Sequence, residues 1–283
     1  MLALHPVVVD AVFAAVESLI PPARPDTHPL GCHRRRVTDR ICFEAMLVRL
    51  VTGCSWDVAA RVLHIGETTL RRRRDEWTRA GVFGALAHEA LEAYDKAIGL
   101  DLAEVAIDGS QHKAPSDGEG TGKNPIDRGK LGWKWSLATD ANGIPLAWAP
   151  EAANRHDSQL LEETLSILDS RGYEVELESL HLDRGYDFPF VRELLAESGI
   201  EAVIPMRRKP KSRTRRTKVT VSLGDRWPVE RANSWLTNFG SLRRNNDRKL
   251  VHREAALDLA VALILTTKLM KWHKRYGAIS AAA

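Results

Sequence analysis

Three carboxylates stand where their surroundings allow chemistry. Asp108 closes the apolar run AEVAI and is followed by Gly109, Asp183 closes SLHL in SLHLDRGYD, and Glu230 lies in DRWPVERANSWL. An apolar run ended by an acid and a glycine reads as a strand that delivers a carboxylate to its end. Pro228 reads as the first turn of a helix that carries Glu230. Acids at two strand ends and one helix start can meet at a single point although the chain separates them widely. Repulsion would raise their pKa values and strain the fold. A pair of hard divalent cations removes that repulsion and makes the cluster a catalyst of in-line phosphoryl transfer. Each acid taken singly also fits a turn residue or a cap, so the spaced set carries the reading.

The elements that must position these acids are legible in outline. From Val37 to Gly84 the pattern is helical: Ile41, Phe43, Met46, Leu47, Leu50 and Val51 recur at helical spacing, Gly53 ends the run, and Ser55 is placed to cap a second helix. His64-Ile65-Gly66 reads as a turn, and Thr68 as the cap of a third helix, TLRRRRDEWTRAG. Helix, tight turn and a helix opening with Arg71, Arg72, Arg73 and Arg74 is the pattern of a helix-turn-helix, in which the second helix enters the major groove of DNA. The same residues also fit a surface helix with its arginines paired to Glu67 or Asp75.

From Ala103 the period changes to that of strands. AEVAID, the alternating GWKWSLATD and IPLAWAPE, the latter two joined at Asn142-Gly143, imply three antiparallel strands. Asp157 is expected to cap SQLLEETLSILDSRG, followed by the strand SLHLD, the helix FPFVRELLAESG and the strand EAVIPM. The order β-β-β-α-β-α-β predicts a mixed sheet flanked by helices, an α/β class, behind an N-terminal all-α region. Helices over about 229–239 and 252–276 complete the chain.

Charge is segregated along the sequence. There are 41 Lys and Arg against 37 Asp and Glu in 283 residues, a net +4. Residues 207–218 hold eight basic and no acidic residues, and 151–200 hold twelve acidic and four basic. Together with Arg34-Arg35-Arg36, Arg71 to Arg74 and the basic stretch 243–275, this is the footprint of a polyanion binder, with nucleic acid as the partner. Cys32, Cys42 and Cys54 match no zinc-ligand spacing and read as reduced packing residues. The longest apolar stretch, Ala255 to Met270, contains Asp258 and Lys268, and no basic n-region opens the chain, so a cytoplasmic protein without a membrane span is expected. There is no G-x-x-x-x-G-K-[ST] motif for a nucleotide.

The segments AIDGSQHKA, DRGKLGWKWSLATDANGIPLAW, ANRHDS, LDRGYD and RWPVERANSWL, in that order, resemble the successive motifs of bacterial insertion-sequence transposases of the DDE type, in the group that includes insertion sequence five and is related to insertion sequence four. RRRVTDRICFEAMLVRLVTGCSWDVAARVL resembles the leader domain of that group, so the likeness spans about residues 33–275. It implies a helical DNA-binding leader over residues 1–95 and a ribonuclease H-like catalytic domain over 96–277. It also implies two Mg2+ ions, for which Mn2+ can substitute, held by Asp108, Asp183 and Glu230. By the same resemblance Asp108 bridges both ions, and the protein recognises the terminal inverted repeats of its element, cuts them and joins the freed 3′-hydroxyl to target DNA. A homodimer in the complex with paired ends and a nucleoid-associated location are further implications. Arg226 keeps the family's arginine four residues before the glutamate, but Leu223 and Thr237 stand where relatives carry tyrosine and lysine, which leaves Arg243 or Arg244 to grip a phosphate. Arg231 is expected at a phosphate or in a structural contact, and Trp227 against an unpaired base or in the core. His156 is expected to orient a water or, with Asp157 as the cap, to pack. Two other functions fit the same residues: a ribonuclease H-like nuclease without strand transfer, and a non-catalytic DNA-binding protein derived from a transposase.

Overall fold

The computed structural model describes residues 4–23, 35–205 and 226–280. By contacts the chain divides into two compact units, Met1–Ile98 with Leu236–Ala283, and Gly99–Trp235. Residues 236–280 therefore group with the N-terminal helices and not with the sheet that precedes them in sequence. The basic run 207–218 and Leu223 lie outside the described residues, as do Cys32 and Arg34.

The first unit is all helical: α1 (Pro6–Leu19), α2 (Asp39–Thr52), α3 (Trp56–Val62), α4 (Glu67–Arg79), α5 (Val82–Ile98) and, from the C-terminal segment, helices over Gly240–Arg243 and Leu250–Ser280. Helix α1 buries Val8, Val9, Val12 and Val16, a stripe at helical spacing. Helix α2 ends at Gly53, whose φ of 72° is the left-handed cap that glycine adopts without strain. A Cβ on Gly53 would lie 2.7 Å from the Gly240 carbonyl carbon, and one on Gly240 would lie 2.5 Å from that of Thr52, so two backbones touch where only glycines fit. The Ser55 hydroxyl caps α3 as expected by accepting from the Val58 N–H. Helix α4 starts at Glu67 behind Gly66, and Thr68, the expected cap, lies inside it.

The centre of this unit is polar. The Asp247 carboxylate lies 3.0 Å from Arg49 and 3.0 Å from Arg74, and it accepts from the Trp56 indole at 3.1 Å. All of these residues are buried, and the Arg49 and Arg74 guanidiniums also lie over the Trp56 ring, at 4.3 and 4.7 Å from its centroid. Burial pushes the Arg49 pKa down, against the pull of Asp247.

The second unit carries the sheet: β1 (Glu104–Lys113), β2 (Leu131–Thr139), β3 (Pro145–Ala152), β4 (Ser179–His181) and β5 (Glu201–Val203), with a two-residue strand at Gly122–Lys123 against the start of β2. Strand β2 lies between β1 and β3 and runs antiparallel to both, whereas β4 and β5 lie on the other side of β1, parallel to it. Helix α6 (Leu161–Ser170) follows β3 and packs on β2 and β3, and α7 (Pro189–Glu197) packs on β5. Helix α8 (Trp227–Thr237) also meets β2. The predicted element order and the mixed, helix-flanked sheet are present. The three later helices, over 227–237, 240–243 and 250–280, are called α8, α9 and α10 below.

The expected strand over GWKWSLATD is present as β2, and despite its alternation every residue from Gly132 to Thr139 is buried. Helices cover both faces: Ser136 meets the Thr164 hydroxyl of α6 at 2.8 Å, and the Trp135 indole donates to Asn233 of α8 at 2.8 Å. The hairpin to β3 is built as expected, with Asp140 accepting from the Asn142 and Ile144 N–H groups and Gly143 at a φ of 72°.

Asp247→Asn keeps the volume at the centre of the first unit but removes the negative charge that two buried guanidiniums share. We expect a loss of roughly 3–5 kcal/mol, the usual cost of breaking a buried ion pair from one side. Urea unfolding of the purified variant measures it.

Candidate active site

Asp108 sits in the middle of β1, not at its end. The strand continues through Gly109 to Lys113, with Asp108 opposite Leu137 and Gly109 opposite Ser136. The predicted glycine turn is absent because Gly109 answers to a contact and not to a bend: a Cβ there would lie 2.1 Å from an Asp157 carboxylate oxygen. Asp183 lies two residues beyond β4 and caps the short 3-10 turn Arg184–Tyr186, its Oδ1 accepting from the Gly185 N–H at 2.6 Å. Glu230 is in the first turn of α8, which opens at Trp227 one residue before Pro228.

Arg226 joins two of the three acids. Its guanidinium lies 3.4 Å from Asp108 and 3.9 Å from Glu230. The Asp108 side chain is 22 % exposed and that of Glu230 is 62 % exposed, so one acid is deep and the other faces water. Burial is the main cause that pushes the Asp108 pKa up to about 6; Arg226 pulls it down, and the charges of Asp183 and Asp157 push it up again. One cation thus serves a group of acids that it does not neutralise.

Tyr186 closes the floor of the site. It is 1 % exposed, and among the described residues its hydroxyl has no hydrogen-bond partner. Burial first, then the charges of Asp157, Asp108 and Asp183, raise its pKa, so it remains an O–H donor at any physiological pH.

Among the described residues, no group of three His, Cys, Asp or Glu side chains is gathered closely enough to hold a metal ion. The donor chemistry nevertheless suits a hard divalent cation: every candidate ligand is a carboxylate oxygen, Arg226 compensates Asp108 only in part, and the Tyr186 hydroxyl is an orphaned donor in the field of the acids.

The remaining predicted residues divide. Arg231 lies between two indoles, 4.4 Å from the Trp227 ring and 4.9 Å from the Trp235 ring, and donates to the Asn142 carbonyl, which makes it a brace between α8 and the β2–β3 hairpin. Trp227 is 53 % exposed and is not a core residue. In the first unit Arg71 is exposed and ion-paired with Glu67 at 2.7 Å, and Arg72, Arg243 and Arg244 are exposed. Arg73 and Arg74 are corrections. They are 4 % and 8 % exposed, paired with Asp39 and with Asp247, because the face of α4 that they occupy turns inward.

Sequence reading also misassigned the ANRHDS segment. His156, not Asp157, is the cap: its Nδ1 accepts from the Ser158 N–H at 3.3 Å, and its ring packs edge-on against Phe188 at 5.3 Å. Asp157 instead binds Lys134, a partner that no local spacing could reveal. His112 stacks on Trp135 at 3.9 Å, and burial lowers its pKa to about 3, so it is a neutral packing residue.

Comparison with known proteins adds a second line of observation. The profile of the family described as Transposase DDE domain matches residues 100–266, and a second profile, named for transposases of the IS4/5 family, matches residues 8–87. A relative from Burkholderia cepacia, named for the transposase of insertion sequence element IS402, is 36 % identical over 160 residues, covering 53 % of this chain and 71 % of that protein. A second protein of the same element, an uncharacterized 16.2 kDa chain, is 34 % identical over 125 residues, 42 % of this chain and 82 % of its own. Among solved structures, the Mos1 transposase paired-end complex with left transposon end aligns over 88 % of this chain and 82 % of its own, at 11 % identity and a TM-score of 0.28.

Two outcomes test the site's electrostatics. The folded Asp108 pKa of about 6 lies above its ordinary 3.8, so the native state binds more protons than the unfolded chain between these values and its stability falls as pH rises through that window. Asp108→Asn should therefore stabilise the metal-free protein above pH 6, by on the order of 2–3 kcal/mol, and the gain should vanish below pH 3.8; denaturant midpoints across pH measure both. Tyr186→Phe removes a buried hydroxyl without a protein partner, so stability should hold within about 1 kcal/mol while cleavage of DNA slows, as a thermal melt and a gel assay would read.

Proposed function

The chain belongs to the Transposase DDE domain family, and on that premise we propose that Asp108, Asp183 and Glu230 are the acids with which this DNA transposase, an enzyme of polynucleotidyl transferase type, cuts and joins DNA. The observation that carries the assignment is the shared guanidinium: acids from β1 and from α8 approach a single Arg226, and the charge of Asp183 acts on the same Asp108 carboxylate.

Enzymes of this family use divalent metal. In this chain Asp108, Asp183 and Glu230 would hold two Mg2+ ions, which Mn2+ could replace. When bound, the ions supply a Lewis acid and positive charge at the scissile phosphate. The chain's residues do the rest. Asp108, held opposite Leu137 by the pairing of β1 with β2, would fix the position of the reacting phosphate, and the Tyr186 hydroxyl would be a donor to an oxygen in that space. Arg226, no longer needed between carboxylates once cations are present, is free to meet a phosphate. Trp227 presents an exposed ring, steadied by Arg231, on which an unpaired base can stack.

In the first step water attacks a phosphodiester at the end of the element and a 3′-hydroxyl leaves. In the second that hydroxyl attacks a target phosphodiester, one P–O bond forming as another breaks, with no covalent protein intermediate and no nucleotide consumed. Residues 1–95 would form the leader that reads the terminal inverted repeats, and 96–277 would hold the catalytic sheet. Arg71, Arg72, Arg243 and Arg244, all exposed, are suited to the DNA backbone, whereas Arg73 and Arg74 are spent on the fold. Pairing two ends calls for two copies of the chain. Among the described residues no helix is long and apolar enough to cross a membrane, and work on chromosomal DNA would place the protein in the cytoplasm at the nucleoid.

Asp108→Asn should abolish Mg2+-dependent cleavage of a DNA end, and the joining of precut ends bearing a free 3′-hydroxyl, while leaving binding of that end unchanged. Full activity in this variant would overturn the assignment of the acids.

A further inference from the structure

The reverse face of β1 holds a charge pair that the three acids leave unexplained. Lys134, in the middle of β2, is 0 % exposed, and its ammonium donates to Asp157 at 2.5 Å and to the Arg155 carbonyl at 2.7 Å. A lysine taken wholly out of water is costly, and an apolar residue of similar size would usually serve a fold equally well. What an apolar residue would not do is hold an ionised acid in place.

The place is specific. The Asp157 carboxylate fills the space where a Cβ on residue 109 would be, with Oδ1 2.1 Å and Cγ 2.6 Å from that point. The φ of Gly109 is not positive, so the glycine is required by this contact and not by backbone conformation. Gly109 follows Asp108 directly, and neighbouring strand residues face opposite sides of the sheet, so Asp157 presses on β1 from behind the catalytic acid. Its charge is also among those felt by Asp108 and Tyr186. The segment that carries it is fixed by the His156 cap and by the Lys134 bond to the Arg155 carbonyl.

We infer that Asp157 is a positioning residue of the active site, a fourth carboxylate clamped by Lys134 against the Gly109 backbone, which sets the position of Asp108 and adds fixed negative charge where the divalent cation binds. This rests on the metal-holding role proposed above for Asp108, Asp183 and Glu230. Partners of this kind commonly change metal affinity by 10–100-fold, roughly, without touching the metal.

The test uses the full-length protein, Mn2+ as the probe and electron paramagnetic resonance of free Mn2+ as the readout, alongside thermal melts and cleavage of a DNA end. Asp157→Asn preserves shape and an acceptor for Lys134. It should melt near the wild type and bind DNA ends normally, yet bind Mn2+ about tenfold more weakly or worse and cleave correspondingly less. Asp108→Asn is the control: normal Mn2+ binding in that variant would bring down the metal assignment itself. Loss of binding in Asp108→Asn with wild-type affinity and cleavage in Asp157→Asn would overturn only the positioning role. If Asp157→Asn does not fold, the double variant Lys134→Met with Asp157→Leu removes the pair without stranding either charge. Weakened Mn2+ binding in the folded double variant supports the inference, and wild-type binding overturns it. Failure of both variants to fold would make the pair a folding element and overturn the inference as well.

Discussion

The carboxylate of Asp108 is held largely out of water with one guanidinium in reach and other acids nearby, and the second unit is arranged around the cost of that placement. Burial and like charge raise its pKa to about 6, whereas Arg226 recovers part of the loss. Pairing restrains Asp108, because β2 holds it opposite Leu137 and β4 holds β1 on the other edge at Glu104 to Ala106, just before it. The tension is stored in charge, not in backbone geometry. A positive charge brought close to Asp108 would lower that cost, as Arg226 already does in part.

The same constraint is met differently in the first unit. There two arginines and an indole gather on the Asp247 carboxylate, and Asp75 supplies a second acid to Arg74. This explains why a run of four arginines is a poor guide to a DNA surface. On α4 successive residues are rotated by roughly a quarter turn or more, so Arg71 and Arg72 face water while Arg73 and Arg74 face the interior. Basic composition signals a polyanion partner for the chain as a whole. Which arginines meet it depends on the acids that the fold places beside each one.

Element type and order were legible because periodicity is local. The apolar stripe of α1, the glycine cap at Gly53, the Ser55 cap and the Asn142-Gly143 hairpin each need only a few consecutive residues to specify them. The errors have the opposite character. Asp108-Gly109 reads as a strand end and a turn, yet Gly109 is there to admit a carboxylate from the start of the helical segment that follows β3. The alternation of β2 does not reveal that Lys134 and Ser136 are buried, because the helices that cover its two faces come from distant segments. His156 packs on Phe188 as expected but also takes the cap expected of Asp157, which binds Lys134 instead, because the capping atom and the acceptor of a buried ammonium are equally polar in sequence.

The sequence by itself determined which acids, basic segments and elements are present and in what order, since residue type and local spacing are written directly in it. The spaced motifs also carried the family, because five short segments in one order are far more specific than any of them alone. Only the tertiary structure decided which charges are solvated, which are paired and what each pair touches. Those outcomes depend on contacts between residues far apart in the chain, as between Lys134 and Asp157 or Arg226 and Asp108, and a charge acquires its chemical role from the partner and the water that the fold leaves to it.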